Sequence, residues 1–174
     1  MPTIKAFRMN GLGNKFIIVD RRKDFVNITK EEIIYLGNLK SFHRDVGFDQ
    51  IIFIEKEVDN AFPITIFNSD GGEVSACGNG SRCIAYLLGK DLNTNEVKLK
   101  TSNRLLNAKI VGDFDVELAM GKPIFEWDKI PLSKNLDPSN ITLIVEGKTF
   151  TDGFCVNVGN PHIIFFVKDC FEHD

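Results

Sequence analysis

Cys77 stands in the segment "FNSDGGEVSACGNGSRC", Phe67 to Cys83, between a glycine turn and a second glycine-rich step that opens an apolar, helix-like run. A thiol at a helix start faces unsatisfied backbone N–H groups and the positive end of the helix dipole, and both favour thiolate over thiol. Gly78 and Gly80 let a ligand approach the backbone closely, and the amides at such a point suit a carboxylate. The segment therefore reads as an anion site with a proton-exchanging base beside it. A structural cysteine next to a tight turn is the other reading, and it fits Cys83, inside the apolar run, better than Cys77. Cys155 and Cys170 sit in strand-like runs and read as core. Asn14, Asn68, Asn79 and Asn160 stand beside or near glycine or aspartate, where asparagine commonly serves a turn. Their recurrence around the cysteine site marks them for attention.

These residues need elements to hold them. The runs "TIKAFRM", "KFIIVD", "QIIFIE", "AFPITIFN", "EVKLKTS", "RLLNAKI" and "DVELAM" read as strands separated by glycine and asparagine turns. A first helix opens at Thr29, where "TKEE" places Glu32 three residues after the cap in a capping-box pattern before "IIYLGNL". A second helix begins just after Cys77, runs through "GSRCIAYLLGK" and ends near Gly89. Its middle, Cys83 to Leu88, is apolar nearly all round, which predicts a helix enclosed by sheet. Strand patterning stops at "MGKP", Met120 to Pro123, and a domain boundary is placed there, giving domains 1–121 and 122–174, with a linker through "SKNLDPSN". "GNKFIIV" at Gly13 and "GNPHIIF" at Gly159 share a Gly-Asn step into an Ile-Ile strand. If they mark equivalent points of a duplication, the period is ~146 residues and a counterpart of Cys77 falls near position ~223.

Composition narrows the function classes. A 174-residue chain with 43% hydrophobic and 26% charged residues and fifteen phenylalanines suits a globular protein with a filled interior. A net charge of −3 with interspersed lysine and arginine lacks the basic footprint of a nucleic-acid binder. The start "MPTIKAFRMN" has no signal-peptide run, and no stretch approaches the ~20 apolar residues of a membrane span. A cytoplasmic protein with reduced cysteines and a small polar ligand follows, without nucleic-acid or membrane partners. The cysteine and histidine spacings fit no metal site.

Taken together, "NGLGNKFIIVD", "FNSDGGEVSACGNGSRC", "MGKP" and "VNVGNPH" closely resemble the diaminopimelate epimerase family of cofactor-independent amino-acid epimerases, in the family's order and at family-like spacing. The resemblance implies an α/β (α+β) fold of two similar halves, each a curved, mostly antiparallel sheet or barrel around a central helix, with the ligand in the cleft between them. It implies that Cys77 is the first of two catalytic cysteines and that Gly78 and Asn79 bind substrate at the helix start. Asn14 in "GLGN", Gln50 in "FDQ", Asn68 in "FNSDG" and Asn160 in "GNPH" match substrate contacts, and His162 matches a position that tunes the thiols. No cofactor is implied, and a homodimer of the complete enzyme is. One thiol would remove the α-proton of LL- or meso-diaminopimelate while the other returns a proton on the opposite face.

Asn10 stands where the family usually has histidine, and Lys15 where it has aspartate. The second catalytic cysteine and the acidic and arginine contacts before it have no match. The chain is therefore expected to be a first half plus an incomplete second repeat, inactive by itself, with exposed sheet edges in its last stretch. Three other readings remain: a Cys77–His162 acyl-transfer site, another racemase or isomerase of the same fold, and a binding module without turnover.

Overall fold

The computed structural model describes residues 4–41, 44, 45 and 47–169. Cys170 and the four residues after it lie outside this range, as does Thr3 at the head of "TIKAFRM". The chain divides into two compact units, Met1–Met120 and Gly121–Asp174.

The first unit runs β1 (Ala6–Gly11), β2 (Asn14–Asp20), α1 (Lys30–Gly37), the short pair β3 (Lys40–Ser41) and β4 (Arg44–Asp45), β5 (Gln50–Ile54), β6 (Phe62–Asn68), β7 (Glu73–Val74), α2 (Gly78–Leu92), β8 (Glu96–Lys100), β9 (Leu105–Gly112) and β10 (Asp115–Ala119). One curved sheet has the order β1-β2-β5-β6-β8-β9-β10, with β7 on β6. Its pairs are antiparallel except β2–β5 and β6–β8.

Side-chain alternation explains the layering. On β2, Phe16 and Ile18 face α2 while Ile17 and Val19 face α1; on β5, Ile52 and Ile54 face α2 while Ile51 and Phe53 face α1. A strand covered on both faces has no polar side to show, which is why "IIFI", Ile51 to Ile54, is an unbroken apolar run. Ile84, Ala85 and Leu88 of α2 are fully buried against β2, β5, β6, β8 and β9. Each Ile or Leu so buried contributes about 1.5–3 kcal/mol. The central helix wrapped by sheet is thus the main core.

Helix α1 has the expected capping box: Thr29 Oγ1 accepts from Glu32 N at 3.2 Å and Glu32 Oε2 accepts from Thr29 N at 2.8 Å. Helix α2 outruns its sequence-based end at Gly89 by three residues. A Cβ at Gly89 would lie 2.8 Å from Ile110 Cδ1, so this glycine serves close packing on β9 and does not stop the helix. The stop is Asn93, left-handed at φ 54, whose N–H bonds Gly89 O. A seven-residue strand and a fifteen-residue helix are both ~22 Å long. Accordingly β2 holds α2 at both ends, through Asn14–Asn79 at the start and through Arg22, which bridges Asp20 and Asp91 at 2.7 Å each, at the finish.

The second unit has a 3₁₀ turn at Trp127–Lys129 and an antiparallel sheet β11 (Ile141–Val145), β12 (Lys148–Asn157), β13 (Pro161–Ile164) in that order. Glu146 and Gly147, both at positive φ, make the tight β11–β12 turn, in a hairpin that starts just past the "SKNLDPSN" linker. Ile130, Ile141 and Cys155 form its core, while Ile144 and Phe166 are 69% and 94% exposed. Among the described residues no helix is long and apolar enough to cross a membrane, and no cluster of His, Cys, Asp and Glu could hold a metal ion.

Candidate active site

Three neighbouring strands bring amide side chains to one end of the sheet. Asn14 opens β2, Gln50 opens β5 one step along a parallel register (Phe16↔Gln50), and Asn68 closes β6 opposite Gln50. Each shares its strand face with residues packed on α2: Phe16, Ile52 and Ile66. Gln50 Nε2 donates to Asn68 Oδ1 at 2.9 Å, whereas Gln50 Oε1 is buried without a hydrogen-bond partner among the described residues.

The chain then turns back so that the start of α2 arrives at this same end. Gly72 N donates to Asp70 Oδ1 at 2.7 Å and Asn68 N to Gly72 O at 2.8 Å, closing the "NSDGG" turn before β7. Cys77 is the N-cap of α2, extended at φ −145 and half-buried, and its Sγ accepts from Gly80 N at 3.3 Å. An N-cap ordinarily carries a serine, threonine or carboxamide oxygen. Sulfur is a weaker acceptor, so this position trades helix stability for a thiol. Gly80 is required here, because a Cβ would lie 2.6 Å from Ile52 Cδ1 and 3.3 Å from Phe16 Cε1. That close approach seats the thiol against the strand ends. Gly78 packs on Met120 of "MGKP", whose carbonyl accepts from Arg104 Nη1 at 2.9 Å. The N–H groups of Gly78 and Asn79, in the first turn, have no intrahelical acceptor.

Polar contacts lock the rim. Asn79 Nδ2 donates to Asn14 Oδ1 at 2.8 Å, and Arg82 Nη2 donates to Asn79 Oδ1. Asp49 Oδ2 accepts from Lys15 N at 2.8 Å and, at 3.4 Å, from Asn14 Nδ2. Sequence reasoning passed over Asp49 and Arg82, neither of which was read for chemistry. The two departures from family pattern find places as well. Asn10 Oδ1 accepts from Gly13 N at 3.1 Å and braces the turn that presents Asn14, and Lys15 reaches Asp49 through its backbone.

The other two cysteines among the described residues, Cys83 and Cys155, are buried. Burial pushes the Cys83 thiol up, as does nearby Cys77, against the opposing pull of Arg82. Burial likewise raises Cys155. Asn160 and His162 belong to the second unit, in and just after the β12–β13 turn, and both are exposed. His162 Nδ1 lies 3.0 Å from Asn160 O; a carbonyl can only accept, so Nδ1 carries the proton in this contact. Size alone would point elsewhere: a larger cavity, about 840 Å³, opens at the C-terminal end of α2, lined by Leu92, Thr94, Lys98, Lys109 and Glu117, and none of the candidate residues lines it.

The family model for diaminopimelate epimerase matches residues 6–126. Diaminopimelate epimerase of Pelagibacter ubique is 44% identical over 98% of this chain and 62% of its own length, and that of the Wolbachia of Brugia malayi is 37% identical over 95% and 60%. The chain thus spans about 60% of the length of these curated relatives. A crystal structure of a hydroxyproline epimerase from Agrobacterium vitis, with bound trans-4-hydroxy-L-proline, shares the fold at a TM-score of 0.59 and 12% identity, over 94% of this chain and 51% of that one. The chain belongs to the diaminopimelate epimerase family.

Proposed function

We propose that this chain contributes one side of a cofactor-independent epimerase site that interconverts LL- and meso-diaminopimelate. The observation that carries the reading is a half-buried thiol capping the central helix, set beside three strand-end amides. Cys77 as thiolate takes the α-proton, forming S–H as the C–H bond breaks, and the electron pair moves onto the substrate carboxylate. The first-turn N–H groups of α2 oppose that growing negative charge where it forms. A second thiol, placed by family resemblance outside the described residues, returns a proton on the other face. Cys83 does not suit that role, because it lies on the same helix and is buried in the core cluster, away from the opposite face of a substrate.

Gln50 Oε1 supports an amino-acid ligand in particular. A buried acceptor without a partner costs about 1–3 kcal/mol, and a substrate ammonium would satisfy it. Asn14, Asn68, Gly78 and Asn79 are the remaining contacts from the first unit; Asn160 and His162 are the contact and the thiol-tuning group from the second. Residues from about 122 onward begin a second domain similar to the first. The local geometry favours this, since Gly13 at φ 92 and Gly159 at φ 123 each stand in a hairpin turn just before an asparagine and a strand. A cytoplasmic homodimer at full length, acting without cofactor, completes the proposal.

The test is solvent exchange. A protein of full family length is expected to incorporate deuterium at the α-carbon of diaminopimelate and to prefer it over proline in competition, whereas the 174-residue chain is expected to give none. Absence of exchange at full length overturns the epimerase reading, and preference for proline transfers it to another racemase of the fold.

A further inference from the structure

Arg82 is the fifth residue of α2, on the turn after the helix start, and the first turn carries no acidic residue. Among the described residues Arg82 makes no ion pair; its guanidinium donates to Asn79 Oδ1, and Nη1 sits 3.8 Å from where a Gly78 Cβ would be. The contact settles the orientation of an amide that could otherwise flip. With Asn79 Oδ1 held by Arg82, Nδ2 turns to Asn14 Oδ1, so both carbonyls of the pair are engaged and each nitrogen keeps a further N–H. Asp49 anchors the far end, beside Asn14 Nδ2.

We propose that Arg82 is a positioning residue of the Cys77 site: it fixes the Asn79 and Asn14 amides as donors and supplies the positive charge that selects a carboxylate-bearing ligand at the helix start, with Asp49 as the weaker second anchor. This inference rests on the epimerase reading above. Arg82 takes no proton and need not touch the reacting carbon. Its charge faces a carboxylate already ionised in the bound substrate, so most of the loss falls on binding and only a small part on kcat as that charge grows.

The experiment compares wild type, Arg82→Gln, Arg82→Lys and Asp49→Asn in a protein of full family length, with diaminopimelate as substrate. Arg82→Gln is expected to raise KM about tenfold with kcat within about twofold, the size expected for losing a charged hydrogen bond. Arg82→Lys keeps the charge without the planar fork and recovers part of the loss. Asp49→Asn is expected to raise KM by about threefold, in keeping with its longer contact and exposed carboxylate. The wild-type KM should rise with ionic strength more steeply than that of Arg82→Gln. An unchanged KM in Arg82→Gln, or a fall in kcat at constant KM, overturns the assignment. If Arg82→Gln does not fold, Arg82→Lys and the salt dependence of the wild type carry the test. Should wild type show no α-proton exchange, the epimerase reading fails separately, and calorimetry with diaminopimelate then decides the positioning claim: weaker binding by Arg82→Gln sustains it, while equal affinity, or no binding by either protein, overturns it.

Discussion

The two ends of α2 are built differently. At the C-terminal end, Arg22 pairs with Asp20 and Asp91, Asn93 closes the helix in a left-handed cap, and Gly89 lets β9 pack close. Every group there serves the helix. At the N-terminal end a sulfur replaces a good capping oxygen, the first turn carries no acidic residue, and Gln50 Oε1 and Ser81 Oγ are buried without partners among the described residues. Several local rules are broken together where a ligand is expected, whereas near the other end the one buried unpartnered side-chain atom among the described residues is Arg21 Nε. One strand, β2, holds both ends, so the site is fixed by an element whose other end is purely structural.

That contrast can be broken by substitution. The largest effect on stability is expected from Gly80→Val, whose added atoms collide with Ile52 and Phe16; urea unfolding should show a loss of about 2 kcal/mol. Next comes Asp20→Asn, with a loss of about 1 kcal/mol at pH 7 and no change in KM. Burial works to raise the Asp20 carboxyl, but the hydrogen bonds and charge of Arg22 outweigh it and hold it below the usual range. A lowered carboxylate stabilises the fold above its unfolded value and loses that contribution as pH falls through the folded one, so the gap from wild type should close below about pH 3.9. Asn93→Ala should also cost about 1 kcal/mol, with Asn93→Gly near neutral, measured by thermal melts. The smallest change in stability, under about 1 kcal/mol, is expected for Gln50→Met, because losing an unsatisfied acceptor offsets losing the bond to Asn68. Its KM for diaminopimelate should nevertheless rise. A large loss of stability with unchanged KM would place Gln50 on the structural side of the contrast.

Much of the first unit was legible in the sequence because its periodicities are strong. The seven strand runs lie on β1, β2, β5, β6, β8, β9 and β10, and Thr29 and Glu32 form the cap that their spacing suggested. The end of α2 was misread because a glycine near a helix end normally signals a stop, whereas Gly89 answers to a neighbour in β9 that no local pattern reveals. β7 and the β3–β4 pair, two residues each, are too short to show a period. The β11–β12 hairpin lies beyond the "SKNLDPSN" linker and no strand was read at "ITLIV", which follows a polar, proline-containing stretch and faces solvent along most of its length.

The candidate site was read in another way. Positions 14, 50, 68 and 77–79 have no spacing in common, and family resemblance, not periodicity, grouped them. The topology then supplies a reason: β2 and β5 start, and β6 ends, on one side of the sheet, where α2 begins. Asp49 and Arg82 make contacts that appear only after folding, and neither was read for chemistry.

The central claim is that Cys77 is a proton-transferring thiol, and α-carbon exchange in Cys77→Ala at full family length tests it most directly. Deuterium incorporation into diaminopimelate should fall by about 10²–10⁴ relative to wild type, with calorimetric binding of diaminopimelate retained and the melting temperature close to wild type. Exchange at the wild-type rate in Cys77→Ala, with the protein folded and the ligand bound, would contradict it.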